Sequence, residues 1–155
     1  MDRDRLNRWL SLAANLGVLA GIILLAFELE QNREMMRAQT RNELSVQIVD
    51  LLSQVATSDE LSSLLFRAES GEPLSDEDIF QFQHRALAML RYFENVHYQY
   101  RQGMYDEEEF SAQQDAWRGT MTIDAYVSVW CDWREKFSPD FKVAFEALFS
   151  TQKCP

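Results

Sequence analysis

Residues 9–27 read WLSLAANLGVLAGIILLAF, and this stretch decides how the chain is organised. It contains no charged residue, and Ser11 and Asn15 are its polar interruptions. At about 1.5 Å per residue, a helix over this stretch is roughly 28 Å long, close to the ~30 Å hydrocarbon thickness of a bilayer. Most of its side chains are Leu, Ile, Val or Phe, which insert favourably into lipid. The stretch therefore predicts a membrane-spanning helix.

Two other kinds of segment contain a similar apolar run. A buried core helix of a soluble bundle is usually shorter and keeps a polar face, whereas the polar residues here form no face. A cleaved signal peptide would find its basic region in Arg3, Arg5 and Arg8, but Phe27 is followed by Glu28 and by no small-residue cleavage site. We therefore expect an uncleaved signal-anchor.

The predicted span divides the chain into a short basic tail at residues 1–8, a transmembrane helix at residues 9–27 and an acidic domain at residues 28–155. The whole chain has a formal charge of −10, and because residues 1–27 sum to +1, the remainder carries −11. Nucleic acid phosphates and anionic lipid repel a domain this acidic. We therefore expect the bilayer as a partner and no nucleic acid.

Arginines flank the predicted span on both sides: Arg3, Arg5 and Arg8 before it, and Arg33, Arg37 and Arg41 after it. The two counts are equal, but the first group lies closer to the apolar segment, which favours a cytoplasmic N-terminus. We expect a protein of the bacterial inner membrane with its acidic domain in the periplasm. Cys131 and Cys154 make one possible pair. A disulfide would suit an oxidising compartment, and two free thiols fit the sequence equally well.

The acidic domain shows helical patterns throughout. Because no Gly or Pro occurs between Gly21 and Gly71, the first helix can continue past the membrane to about residue 56. Later helices are predicted to start in segments that favour an N-cap: residues 57–60, residues 75–78, Asp106 with Glu109, Thr122 or Asp124, and Ser138 before Pro139. The sequence predicts an all-α fold, in which an N-terminal transmembrane helix continues into a small antiparallel bundle of five or six helices.

Small residues recur along the predicted span. Ala13, Gly17 and Gly21 are four residues apart, and Gly17 and Gly21 form a GxxxG pair. Such a stripe lets two helix backbones approach closely in lipid, and Asn15 could add an interhelical hydrogen bond. We expect a transmembrane helix contact here, either with a second copy or with a partner membrane protein.

Glu94 and His97 form the one arrangement typical of a metal site. A Glu-x-x-His spacing places a carboxylate and an imidazole on one helix face, as in di-iron bundles, which use two such pairs. The second pair is missing here, because His84 has Gln81 rather than Glu three residues before it. We therefore expect His97 to lie in the core, and we predict no metal, no cofactor and no catalytic residue.

Aromatic residues are dense in the same segment. Tyr92, His97 and Tyr100 could line a pocket for a small apolar or aromatic ligand, because such pockets combine rings with a few polar groups. The alternative is a packed helix whose tyrosines reach the surface with their hydroxyl groups. The sequence favours the packed helix and leaves ligand binding as an alternative function.

Three segments carry a family resemblance: residues 15–23, residues 28–32 and residues 94–103, which read ENVHYQYRQG. On these segments the chain resembles a widespread family of short uncharacterised bacterial proteins with one N-terminal transmembrane helix. The resemblance implies a single span and a helical remainder, and it implies no activity.

These patterns lead to three hypotheses about function. The first is a single-pass, membrane-anchored helical protein that acts as a protein-interaction or assembly module. The second is a membrane-tethered sensor that binds a small ligand near Tyr92, His97 and Tyr100. The third is an enzyme with a metal at Glu94 and His97. The sequence favours the first, because no complete catalytic or metal constellation is present.

Overall fold

Six α-helices and one short 3₁₀ helix make up the protein over the part of the chain that the structure, a computed structural model, describes: residues 3–149 and residue 154. The predicted all-α fold is confirmed, and those residues contain no strand. The remaining residues of the predicted tail and of the acidic domain lie outside the described residues. The α-helices are α1 (Arg3–Thr57), α2 (Asp59–Glu69), α3 (Asp76–Arg101), α4 (Glu107–Thr120), α5 (Asp124–Trp133) and α6 (Pro139–Glu146), with the 3₁₀ helix at Arg134–Lys136.

The helices of the bundle begin within the predicted segments. The Ser58 hydroxyl accepts a hydrogen bond from the Leu61 amide at 3.2 Å and caps α2. At the start of α3, Ser75 and Asp78 form a reciprocal capping box. The Asp106 carboxylate caps α4 in a similar way. These caps satisfy backbone N–H groups that have no partner within their own helix.

Two glycines end α2 and α3 by the same mechanism. Gly71 and Gly103 have positive φ values of 72° and 70°, a conformation that strains residues with a Cβ atom. The amide of the following residue then bonds back to a carbonyl in the last helical turn, as in Met104 N–H to Gln99 O at 2.9 Å. This is the Schellman arrangement. It reverses the chain and lets the next helix pack against the previous one.

The chain divides into two compact units at the boundary between Gln39 and Thr40. In the N-terminal unit, every described residue is helical and exposed. It contains one segment that is long and apolar enough to cross a membrane, and none of that segment is buried. The C-terminal unit begins within α1, whose Leu44 is only 2% exposed. The predicted boundaries of the tail, the span and the acidic domain stay predictions.

Aromatic rings form the centre of the C-terminal unit. Four helices contribute the buried rings: Phe93 from α3, Phe110 and Trp117 from α4, Trp130 from α5, and Phe141 and Phe145 from α6. The ring centroids of Trp130 and Phe145 are 4.7 Å apart, and those of Phe93 and Trp117 are 5.1 Å apart. Tilted and offset contacts at these distances suit the quadrupoles of the rings. We call this set the ring cluster.

A disulfide and an ion pair fasten helices at the periphery of the bundle. Cys131 of α5 is bonded to Cys154, with their Cα atoms 5.3 Å apart. Closing a loop of 23 residues stabilises the fold by about 3 kcal/mol in the chain-entropy treatment. Arg67 of α2 donates two hydrogen bonds of 3.0 Å to the Asp78 carboxylate of α3. This bidentate pair joins the end of α2 to the start of α3.

Replacing Phe145 tests the ring cluster. We expect Phe145→Ala to lower the free energy of unfolding by about 3–5 kcal/mol, because the change leaves a cavity among rings that cannot collapse around it. Val143 lies on the same helix and is 74% exposed, so Val143→Ala should change stability by less than about 0.5 kcal/mol. Denaturant unfolding followed by tryptophan fluorescence measures both variants. Equal losses would contradict the assigned core.

Candidate functional site

The small-residue stripe of α1 lies on an open helix surface. Ala13, Gly17 and Gly21 are all exposed, and a Cβ atom placed on either glycine would meet nothing within 4 Å. A second helix can therefore come close to the backbone at this stripe. Asn15 lies two residues from Gly17, which on a helix places it on nearly the opposite side. The Asn15 side chain therefore lies on a different face of α1 from the two glycines.

Glu94 links α3 to the start of α6. Its carboxylate accepts a hydrogen bond from the Ser138 backbone N–H at 2.8 Å and another from Arg91 at 2.6 Å. Ser138 is the N-cap residue of α6, and its own side chain makes no capping bond. Glu94 therefore supplies, from another helix, an acceptor at the positively polarised end of α6. The carboxylate that the sequence offers to a metal is engaged with protein donors.

Burial and hydrogen bonding act in opposite directions on the ionisation of Glu94. Burial by itself would raise the pKa of this carboxyl, but the bonds from Ser138 and Arg91 favour the charged form more strongly. The net effect is a pKa below the ordinary value of 4.5. Glu94 is therefore ionised at neutral pH, and its charge contributes to stability there.

His97 lies in the core beside the ring cluster. It is 7% exposed, and its ring centroid is 5.7 Å from that of Phe141 and 6.1 Å from that of Phe110. Burial lowers the pKa of the imidazole, and the nearby Arg101 guanidinium lowers it further. Both effects favour the neutral ring. Within residues 3–149 and 154, no group of three or more His, Cys, Asp or Glu side chains is placed to hold a metal ion.

The two tyrosines of the predicted ligand pocket both belong to α3 and pack against other side chains. Tyr92 is 5% exposed, and burial raises the pKa of its hydroxyl to about 12. Tyr100 is half-buried and stacks on Phe110, with ring centroids 3.9 Å apart. The contacts of Tyr92, His97 and Tyr100 are therefore those of a packed helix. Ligand binding by these three residues stays a prediction.

One buried polar group was not identified by the sequence analysis. Arg85 of α3 is half-buried and donates a hydrogen bond from Nη2 to the carbonyl oxygen of Leu51 in α1. Its Nη1 is buried, and no acceptor among the described residues reaches it. The sequence contains a signal for this partial burial. Arg85 is next to Ala86 and three residues after Phe82, and both of those residues are on the buried face of α3.

Comparison with known proteins assigns neither a family nor a function to this chain. No protein-family model, curated protein or solved structure matches this chain. The resemblance noted on residues 15–23, 28–32 and 94–103 stays a prediction.

Replacing Glu94 by Gln tests its capping role. At pH 7 we expect Glu94→Gln to lower the free energy of unfolding by about 1–2 kcal/mol, because the amide has no charge and offers one acceptor oxygen to the two donors of Ser138 and Arg91. A lowered pKa in the folded state means that this contribution is complete above the unfolded pKa. It is lost as the pH falls through the folded value. The stability difference between the wild type and the variant should therefore shrink below about pH 4.5.

Glu34→Gln, a change of an exposed carboxylate in the middle of α1, is the matched control. It should change stability by less than about 0.5 kcal/mol at pH 7. Urea unfolding at a series of pH values gives the comparison. A difference for Glu94→Gln that does not vary with pH would overturn the role of its charge.

Proposed function

We propose that this protein is a single-pass membrane protein whose helical bundle is an interaction or assembly module. The observation that carries the proposal is the apolar segment of α1, in which no residue is buried. The bilayer of the bacterial inner membrane covers residues 9–27. The bundle that begins at Thr40 is tethered to that membrane and acts by contact with other proteins.

The exposure of the apolar segment supports a lipid environment. Leu10, Ile22 and Phe27 have 60%, 59% and 65% of their surfaces exposed. Each large apolar side chain left in water forfeits about 1.5–3 kcal/mol relative to burial. A core helix of a soluble protein would bury these side chains within the fold, as the ring cluster is buried. Acyl chains would cover them without any contribution from the bundle.

The glycine stripe supports association within the bilayer. In lipid, the hydrophobic effect does not hold helices together, so close backbone packing and polar contacts do so instead. Gly17 and Gly21 leave their side of α1 free for such packing. The simplest partner is a second copy of the same helix, in which the same stripe is used by both protomers.

The disulfide supports a periplasmic bundle. Cys131 and Cys154 are paired, and disulfides persist outside the cytoplasm, where no thiol-reducing system removes them. The three arginines before residue 9 favour the same orientation, with the N-terminus in the cytoplasm. The acidic surface of the bundle also keeps it from adhering to anionic lipid headgroups.

Topology in cells tests the orientation. We expect a reporter enzyme that is active only outside the cytoplasm to be active when fused after Pro155, because the proposed orientation exports the C-terminal end. In the same cells, an alkylating reagent should modify Cys131 and Cys154 only after reduction. A silent reporter on a protein that is still in the membrane fraction would show the opposite orientation. Labelling of the cysteines without reduction would contradict the disulfide.

Self-association of the span tests the glycine stripe. We expect the double variant Gly17→Leu and Gly21→Leu to reduce dimer formation several-fold in a transmembrane association assay, because the larger side chains hold the two backbones apart. Ala26→Leu is the matched control, since Ala26 follows Gly17 by nine residues and lies on the opposite side of the helix. Unchanged dimer formation by the double variant would exclude this stripe as the contact.

A further inference from the structure

A cleft in the bundle combines apolar walls with an incompletely bonded arginine. It has a volume of about 370 Å³ and lies where α1, α2, α3 and α5 meet. The volume is within the range of small-molecule sites, which run from roughly 300 to 1,000 Å³. Apolar side chains from three helices line the walls: Leu52, Val55, Leu65 and Met89. The polar groups of the lining are Arg85, Glu69 and Tyr126.

The charge of Arg85 has no ion-pair partner among the described residues. Nη2 is bonded to the Leu51 carbonyl oxygen, and Nη1 is buried without an acceptor. Asp50 attracts Arg85 without a hydrogen bond or an ion pair between them. The Asp50 carboxylate accepts a hydrogen bond from Gln54 at 2.9 Å. A buried N–H without an acceptor is costly, and so is a half-buried charge without a counter-ion. A carboxylate in the cleft toward which the guanidinium turned would supply both the acceptor and the counter-ion.

Glu69 supplies the carboxylate in the lining of the cleft. The Tyr126 hydroxyl donates a hydrogen bond to Glu69 at 3.0 Å. Tyr126 is 8% exposed, and both its burial and the nearby Glu69 charge raise the pKa of its hydroxyl. Tyr126 is therefore a neutral donor that is already in use. The Glu69 charge remains in the cleft, where it would repel a second negative group on a ligand.

We propose that this cleft binds a small monocarboxylate with an apolar tail, such as a medium-chain fatty acid. The carboxylate accepts hydrogen bonds from Arg85, since a guanidinium matches a carboxylate in geometry and charge. The tail lies against Leu52, Val55, Leu65 and Met89. Glu69 selects against dicarboxylates of the same length. The site is separate from the membrane span, so its failure would leave the proposed anchoring unaffected.

A purely structural arginine is the alternative that the experiment must distinguish. The bond from Arg85 to Leu51 joins α3 to α1, so loss of Arg85 can weaken the bundle with or without a ligand. Binding is therefore measured on the full-length protein in lipid nanodiscs, by equilibrium dialysis of radiolabelled octanoate against empty nanodiscs. We expect saturable binding of one octanoate per chain. Octanol, octylamine and suberate should fail to displace it.

Two variants and one control locate the site. Arg85→Met keeps the length of the side chain and removes its charge, and we expect at least a tenfold loss of octanoate affinity. Arg118→Met removes an exposed arginine that pairs with Asp115 on α4, and we expect wild-type affinity. Ala56 lines the cleft and is exposed, so Ala56→Phe should abolish binding by filling the cleft while Arg85 stays in place.

Each outcome decides the proposal. Absence of saturable binding to the wild type overturns it. Wild-type affinity in Arg85→Met or in Ala56→Phe also overturns it, as does equal displacement by octanol, which would indicate an apolar groove without carboxylate recognition. If Arg85→Met fails to fold, Ala56→Phe decides the location alone, with its circular dichroism spectrum as the check on folding.

Discussion

Ring-to-ring packing is the interaction on which the bundle depends. The contacts of Trp130 with Phe145 and of Phe93 with Trp117 bring four helices to one centre. α5 and α6 are only 10 and 8 residues long, too short to remain helical in water without partners. The rings supply those partners. The positions of Ser138 beside Glu94 and of Cys131 beside Cys154 follow from that packing.

Local features of the fold could be predicted from the sequence, because they depend on neighbours along the chain. An N-cap needs only a short polar side chain and the next few amides, so the starts of α2, α3 and α4 follow from Ser58, Ser75 and Asp106. Phe82, Ala86, Leu90 and Phe93 recur at spacings of three and four residues and are all buried, as expected for one face of an amphipathic helix. The apolar run at residues 9–27 needs no tertiary information at all.

Features that join distant segments could not be predicted in the same way. The sequence offered Cys131 and Cys154 as a pair or as free thiols, and only the packing of α5 decides between them. The spacing of Glu94 and His97 is typical of metal ligands, yet Glu94 is bonded to a backbone amide 44 residues later. Arg85 is one charged residue among many until α1 and α3 are seen together. Each depends on contacts across the fold.

The disulfide has a consequence for motions of the folded state. α6 is a short helix, and short terminal helices usually open locally and expose their amides to exchange with solvent. Here Glu94 holds the amide of the residue before α6, and a covalent bond at Cys154 ties the chain beyond its end back to α5. Opening of α6 then has to displace Phe141 and Phe145 from the core without release of the chain end. We therefore expect the amides of α6 to exchange with solvent more slowly than those of an untethered helix of the same length.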